Sequence, residues 1–289
     1  PQTDPHASST PPNSAPPLKQ SAAPSEEESA GSDGLLGFAG FLIKLVVAVS
    51  ILRIFIIAPF SIPSESMLPR LWQGDYLIAT KWAYGYSNSS LPFDISVFEG
   101  RVLATQPERG DVVIFKHPID RQDYVKRVIG LPGDTVQMLG GQSVINGEFV
   151  SKEPIADFEI PIGPNASCAF GDRVFVGDNS APRCSYDRFV EELPGGVSVE
   201  VLDFGLSTGD AMPMATVPEG HIFVMGDNRD YSRDSRFPAL AGDGVGMVPQ
   251  NNLVGRARFV FWSTDGTAEW LKPWTWFTAA RWSRIGFTL

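Results

Sequence analysis

Two serines, Ser64 and Ser66, stand in the stretch Phe60-Ser-Ile-Pro-Ser-Glu-Ser-Met-Leu-Pro69, bracketed by Pro63 and Pro69. Proline fixes φ and biases the residue before it toward extended backbone, so the pair sits in a stiff, non-helical segment. Such a segment can fix a nucleophilic hydroxyl, although serine-proline stretches also serve as plain turns. A serine nucleophile needs a base. His6, His117 and His221 are the histidines of the chain, and His221 follows Gly205-Leu-Ser207-Thr-Gly209 and Asp210 in the order of an esterase-like Ser/Asp/His set. A nucleophile elbow, however, requires strand, sharp turn and helix, and Pro213 stands where the helix should run. Ser207 therefore reads as a turn residue, with a Ser207/His221 hydrolase kept as a rival. No serine stands three residues before a lysine. Lysine remains as the base for Ser66, provided burial or nearby positive charge lowers its pKa enough to keep it neutral.

Lys126 answers that description within Asp123-Tyr-Val-Lys-Arg-Val-Ile-Gly130. In a strand, Tyr124, Lys126 and Val128 share one face and Arg127 points the other way, toward some carboxylate. The bland alternative is an edge lysine snorkelling to water. A second dense run, Met225-Gly-Asp-Asn-Arg-Asp-Tyr-Ser-Arg-Asp-Ser-Arg-Phe237, follows an apolar strand. A solvated loop would account for any one of its charges. Their density suggests a paired ionic network, since unpaired buried charges are costly.

Stepwise along the chain, residues 1–34 are rich in Pro, Ser and Ala and carry Glu26-Glu27-Glu28, a composition expected to be disordered. Residues 35–58 are apolar except for Lys44 and Arg53, with Leu, Ile, Val and Phe dominating. At about 1.5 Å per residue the run exceeds a hydrocarbon core of about 30 Å, so a single transmembrane anchor through about residue 59 is expected. Insertion is favourable once Arg53 snorkels to an interface. Beyond it, short alternating segments at 75–80, 111–116, 124–129, 135–139, 173–176, 197–204, 221–225 and 253–262 alternate with Pro132-Gly133-Asp134, Asn146-Gly147 and Pro194-Gly195-Gly196. They predict a mainly β, antiparallel, barrel-like domain over residues 60–289. The segment 270–289, with Trp270, Trp274, Trp276 and Trp282, is either a packed C-terminal helix or an interfacial aromatic patch. Net charge −10 across 289 residues argues against a nucleic-acid partner. Cys168 and Cys184 are too few for a structural zinc site, and in an exported domain they could form a disulfide. No metal or other cofactor is called for.

Four stretches in order resemble the signature boxes of bacterial type I signal peptidases, the S26 family of Ser/Lys peptidases. They are Pro63-Ser-Glu-Ser-Met-Leu-Pro69, Arg109-Gly-Asp-Val-Val-Ile-Phe115, Tyr124 through Asp134, and Gly226 through Arg236. The resemblance implies a membrane-anchored endopeptidase on the outer face of the bacterial cytoplasmic membrane, cleaving signal peptides from exported preproteins after small residues. Signal peptides and the lipid bilayer are the implied partners. It also implies Ser66 as nucleophile, Lys126 as general base, and the Ser64 hydroxyl with the Ser66 N–H as oxyanion hole. Ser232 would hydrogen-bond the lysine amine, Tyr124 would pack beside it, and Asp234, Arg236 and Arg127 would form a supporting ion network. Asp227 would shape the same loop. Arg70 and Tyr231 depart from the usual Thr and Asn, and one anchoring helix is offered where some relatives have two. The remaining rival is a non-catalytic, membrane-tethered β module that binds exported chains.

Overall fold

The computed structural model describes residues 30–91, 99–168, 174–177, 181–269 and 271–289. The expectation of disorder for residues 1–34 falls mostly outside this set, as do Arg173 and Trp270. The described chain falls into two units, one ending at Ala48 and one from Val49 to Leu289.

Helix α1 (Ala30–Ile51) passes into a π turn, Leu52–Ile56, and strand β1 begins at Ile57. The apolar run is thus not one continuous helix as expected. Hydropathy alone does not separate a helix from a strand. Here the last residues, Ile57–Ser61, are recruited by cross-strand pairing with β2 (Asp75–Thr80), and Pro59 faces the edge, where its missing N–H costs nothing. The π turn is tied down from below: the Lys81 N–H donates to the Ile56 carbonyl at 3.1 Å, and the Tyr86 hydroxyl donates to the Phe55 carbonyl at 2.6 Å. Among the described residues, no helix is long and apolar enough to cross a membrane.

Strands β3 (Val112–Lys116), β4 (Asp123–Gly130), β5 (Thr135–Leu139), β6 (Gln142–Ile145), β7 (Glu148–Phe149), β8 (Ser151–Pro161), β9 (Val174–Val176), β10 (Pro182–Leu193), β11 (Val197–Leu202), β12 (Ala211–Thr216), β13 (His221–Met225), β14 (Val248–Pro249) and β15 (Leu253–Ser263) complete three sheets. Their orders are β1-β2-β15-β3-β4-β13-β14, then β11-β10-β8 with β9 on β10, then β12-β5-β6-β7. Every pairing between these strands is antiparallel, so the domain is mainly β. Asn146-Gly147 closes the β6–β7 hairpin with φ of 54° and 83°, the positive pair that a tight two-residue turn demands.

The site depends most on how the loop after β1 is pinned. Met67 buries in a core with Leu71, Leu77, Ile114 and Val260, while its neighbour Leu68 buries in another with Phe158, Ile160, Tyr186 and Leu202. Consecutive side chains anchored in different cores leave Ser66 little freedom. Cys184 lies in the second of those cores and is disulfide-bonded to Cys168, closing 16 residues of chain. Loop-closure entropy places the contribution of such a link at about 3 kcal/mol. Reduction should therefore lower Tm by several degrees, checked by calorimetry with and without reductant; an unchanged Tm would contradict it.

The C-terminal segment is not the packed helix considered above. Among the described residues its α-helix covers Trp274–Thr278 alone (α2), a 3-10 turn follows at Trp282–Arg284, and a buried Arg284 ties the end of the chain to Asp75 at 2.5 Å. Leu271, Trp274, Phe277 and Trp282 remain exposed.

Candidate active site

β4 carries Lys126 into the sheet, paired opposite Val113 of β3, and the strand's alternation turns Arg127 to the other face. The Lys126 amine donates to the Ser66 hydroxyl oxygen at 2.6 Å, although 60 residues separate them. Lys126 is 4% exposed. Burial pulls its pKa down from 10.5 to about 8; Asp234 and Asp227 oppose that fall, and Arg236 adds to it. The Tyr124 ring lies 5.9 Å from the amine and is tilted against the His117 ring, 4.9 Å away. Near neutral pH a useful fraction of this amine is uncharged, as a proton acceptor requires.

The Ser64 hydroxyl lies 3.3 Å from that of Ser66. Behind the pair, Asn228 makes two bonds to the loop: its N–H donates to the Ser66 carbonyl at 3.1 Å and its side-chain amide to the Glu65 carbonyl at 3.2 Å. Glu65 itself is buried and accepts the Ser167 N–H at 3.1 Å; burial outweighs that bond and raises its pKa. Neither Asn228 nor Glu65 stands out in the sequence, because an amide after Gly-Asp and a carboxylate between serines look like ordinary turn residues. Misplacing a reacting group by about 1 Å can cost roughly 100-fold. Asn228→Ala should accordingly lower kcat by about 10- to 100-fold with little change in KM, measured on a short peptide substrate. A variant with wild-type kcat would remove Asn228 from any positioning role.

The charged residues sort into close pairs, two of which are joined where Arg236 donates to the Arg229 carbonyl at 2.5 Å. Arg127 grips Asp227 with two bonds, 2.7 and 2.6 Å, and donates to the Gly110 carbonyl. Asp234 and Arg236, both fully buried, pair with each other at 2.9 Å, and Asp234 also accepts the Gly226 N–H at 3.0 Å. Burial would raise the Asp234 carboxyl, but Arg236 and these bonds hold it below its ordinary value. A third buried pair, Arg229 with Glu191 of β10 at 2.5 Å, was invisible in sequence because its partner lies on a strand that the alternation does not reveal.

Ser232 departs from expectation. Its hydroxyl is buried and, among the described residues, makes no hydrogen bond to Lys126; it lies near Asp234, whose carboxyl it helps hold below its ordinary value. The side chain packs instead on Gly226, where an added Cβ would stand 2.4 Å from the Ser232 oxygen and 2.4 Å from the Ser66 carbonyl. Only glycine permits this approach.

The rival set does not assemble. Ser207 donates to Asp210 at 3.0 Å within one turn, and the His221 ring faces the Glu219 carbonyl. No hydrogen bond joins Ser207 to His221 among the described residues. The dense candidate residues instead border a cleft of about 320 Å³ lined by Ile62, Pro63, Ser64, Ser66, Tyr124 and Lys126.

Comparison with known proteins defines the chain as a serine endopeptidase. Residues 35–262 fit the family described as signal peptidase, peptidase S26, and the chain belongs to it. Signal peptidase I of Rickettsia typhi is 36% identical over 240 residues, covering 80% of this chain and 81% of that one. Signal peptidase I of Rickettsia prowazekii is 35% identical over the same length, with the same coverage. A crystal structure of a signal peptidase I from Enterococcus faecalis covers 53% of this chain and 97% of its own, at 26% identity and a TM-score of 0.28.

Proposed function

We propose that this chain removes signal peptides from exported preproteins through a Ser66/Lys126 dyad. The observation that carries the reading is the 2.6 Å contact between a buried, pKa-lowered amine and the Ser66 hydroxyl. Neutral Lys126 takes the Ser66 proton as the oxygen attacks the scissile carbonyl. The tetrahedral oxyanion is held by the Ser66 N–H and the Ser64 hydroxyl. Collapse expels the mature protein's amine, which takes its proton from the lysine ammonium. Water, deprotonated by the same amine, then hydrolyses the acyl-enzyme. Asp227 with Arg127, and Asp234 with Arg236, hold the strands around Lys126, and Ser232 fixes the Gly226 turn by packing.

The cleft beside Ser66, about 320 Å³, is bordered by Ile62, Pro63 and Tyr124, a lining that suits small apolar side chains next to the cut bond. β1 lies at a sheet edge, free to pair with an extended peptide. We place the domain on the outer face of the bacterial cytoplasmic membrane, tethered through the apolar run 35–58. Support for the tether comes from outward aliphatic side chains such as Leu36, Ile43 and Val46, which are 70%, 64% and 62% exposed. The Cys168–Cys184 bond fits an oxidising compartment.

The test is cleavage of a purified preprotein. Ser66→Ala should lose at least about 1000-fold in kcat, whereas Ser207→Ala and His221→Ala should cleave at the wild-type rate. Retained cleavage by Ser66→Ala would remove Ser66 as the nucleophile, absence of cleavage by wild type would leave only a binding module, and loss in His221→Ala would restore the rival hydrolase.

A further inference from the structure

Beside the cleft lies a second and larger cavity, of about 830 Å³, whose wall includes Ser50, Arg53, Lys81, Ser90, Lys116 and Asp123. That volume is within the range of built small-molecule sites. Its charge balance is unusual for a chain carrying −10 overall. Lys81 is 6% exposed, and its amine donates to the Ser90 carbonyl at 2.6 Å, with no carboxylate paired to it among the described residues. Lys116 is paired with half-exposed Asp123 at 3.1 Å, and Arg53 is an exposed part of the wall. Three cations therefore share one carboxylate. Burial lowers the Lys81 pKa, Arg53 and Lys116 lower it further by like-charge repulsion, and Asp123 only partly opposes them. An anion seated among the three would relieve that repulsion.

We propose that this cavity binds the phosphate of an anionic phospholipid headgroup. The inference rests on the tether proposed above: Ser50 and Arg53 stand toward the end of the apolar run in sequence, so a chain held in lipid by that run keeps this wall of the cavity close to the headgroups. A lipid is favoured over an acidic side chain of the substrate for that reason, although the cavity shares Phe60, Ser61, Pro63 and Asp123 with the catalytic cleft. A bound headgroup would hold β1, and with it the cleft, at a fixed height above the bilayer.

The experiment uses the full chain in zwitterionic detergent, with bound lipid counted by native mass spectrometry. Short-chain phosphatidylglycerol, short-chain phosphatidylcholine and sn-glycerol 1-phosphate are titrated against wild type, R53Q, K116Q and K81Q. Wild type should bind one phosphatidylglycerol in preference to phosphatidylcholine. R53Q and K116Q, both at accessible positions, should each weaken that binding about fivefold while cleaving a short soluble peptide normally. K81Q should weaken it most. Equal binding of the two lipids, or undiminished binding in R53Q and K116Q, overturns the proposal. So does glycerol phosphate binding as tightly as the lipid, which would make this a free-phosphate site. A defect in R53Q confined to cleavage of peptides with acidic side chains, with lipid binding intact, would assign the cavity to substrate and likewise overturn it. Flotation with pure phosphatidylcholine vesicles separates the two readings: a chain that floats without preferring phosphatidylglycerol loses only the headgroup site, and a chain that does not float loses the tether and the site together.

Discussion

Lys126→Ala is expected to cleave a preprotein roughly 1000- to 10,000-fold more slowly than wild type while binding it with similar KM, because the amine acts only as the proton moves. The wild-type pH profile should carry the same signature. With the amine at about 8, kcat/KM climbs through neutral pH and levels off above that value. Stability should move in a linked way. Below pH 8 both folded and unfolded chains hold the lysine proton, and the folded state bears the full cost of burying it. Between about 8 and 10.5 the unfolded chain binds more protons than the folded one, so stability rises with pH across that window. At about 1.4 kcal/mol per pH unit the buried charge costs roughly 3 kcal/mol at pH 7. Lys126→Met removes that cost and fills the same space, so it should be inactive yet melt higher than wild type at pH 7, with the difference shrinking toward pH 10.5. Calorimetry at the two pH values checks this. A Lys126→Ala enzyme of near-normal rate would dispose of the base assignment, whatever the melting curves show.

Much of this pocket was legible in the sequence because its parts are local. Alternation in Asp123–Gly130 set Lys126 and Arg127 on opposite faces, and the structure keeps them there. Which carboxylate meets Arg127 was not legible, since it depends on register. β4 pairs with β13 so that Arg127 stands opposite Met225, and Asp227, two residues on, comes within reach while Asp234 does not. Long strands hid for a different reason. β8 and β10 contain Pro154 and Pro182 and several charged residues each, so neither has the apolar alternation by which β2, β5 and β13 announce themselves. Glu191 was hidden with β10, and with it the partner of Arg229. The end of the apolar run misled through hydropathy: Ile57 and Ala58 are as apolar in an edge strand as in a helix, and only the pairing with Thr80 and Ala79 decides between them.

Asp234 offers the sharpest separation of structural from electrostatic roles. Its pair with Arg236 has no exposed side-chain surface, so Asp234→Ala leaves a guanidinium buried without its counter-ion, at a cost of about 3–5 kcal/mol. That variant should unfold at clearly lower denaturant or fail to accumulate. Asp234→Asn is gentler, keeping the shape and an acceptor for the Gly226 N–H while removing the charge. Asp234 is the first of the groups that oppose the fall of the Lys126 pKa, and Arg236 pushes the other way. Deleting the carboxylate charge leaves the arginine's effect uncancelled, so the lysine pKa drops below about 8 and the rising limb of kcat/KM moves to lower pH. A purely structural role would reduce the rate at every pH and leave the limb in place. Asp243→Asn is the control: that carboxylate pairs with exposed Arg233 and is not among the groups that move the lysine, so its loss should leave the limb in place. An Asp234→Asn limb that stays put, or moves to higher pH, would mean that the charge on this residue does not set the lysine, and that burial alone makes Lys126 a base.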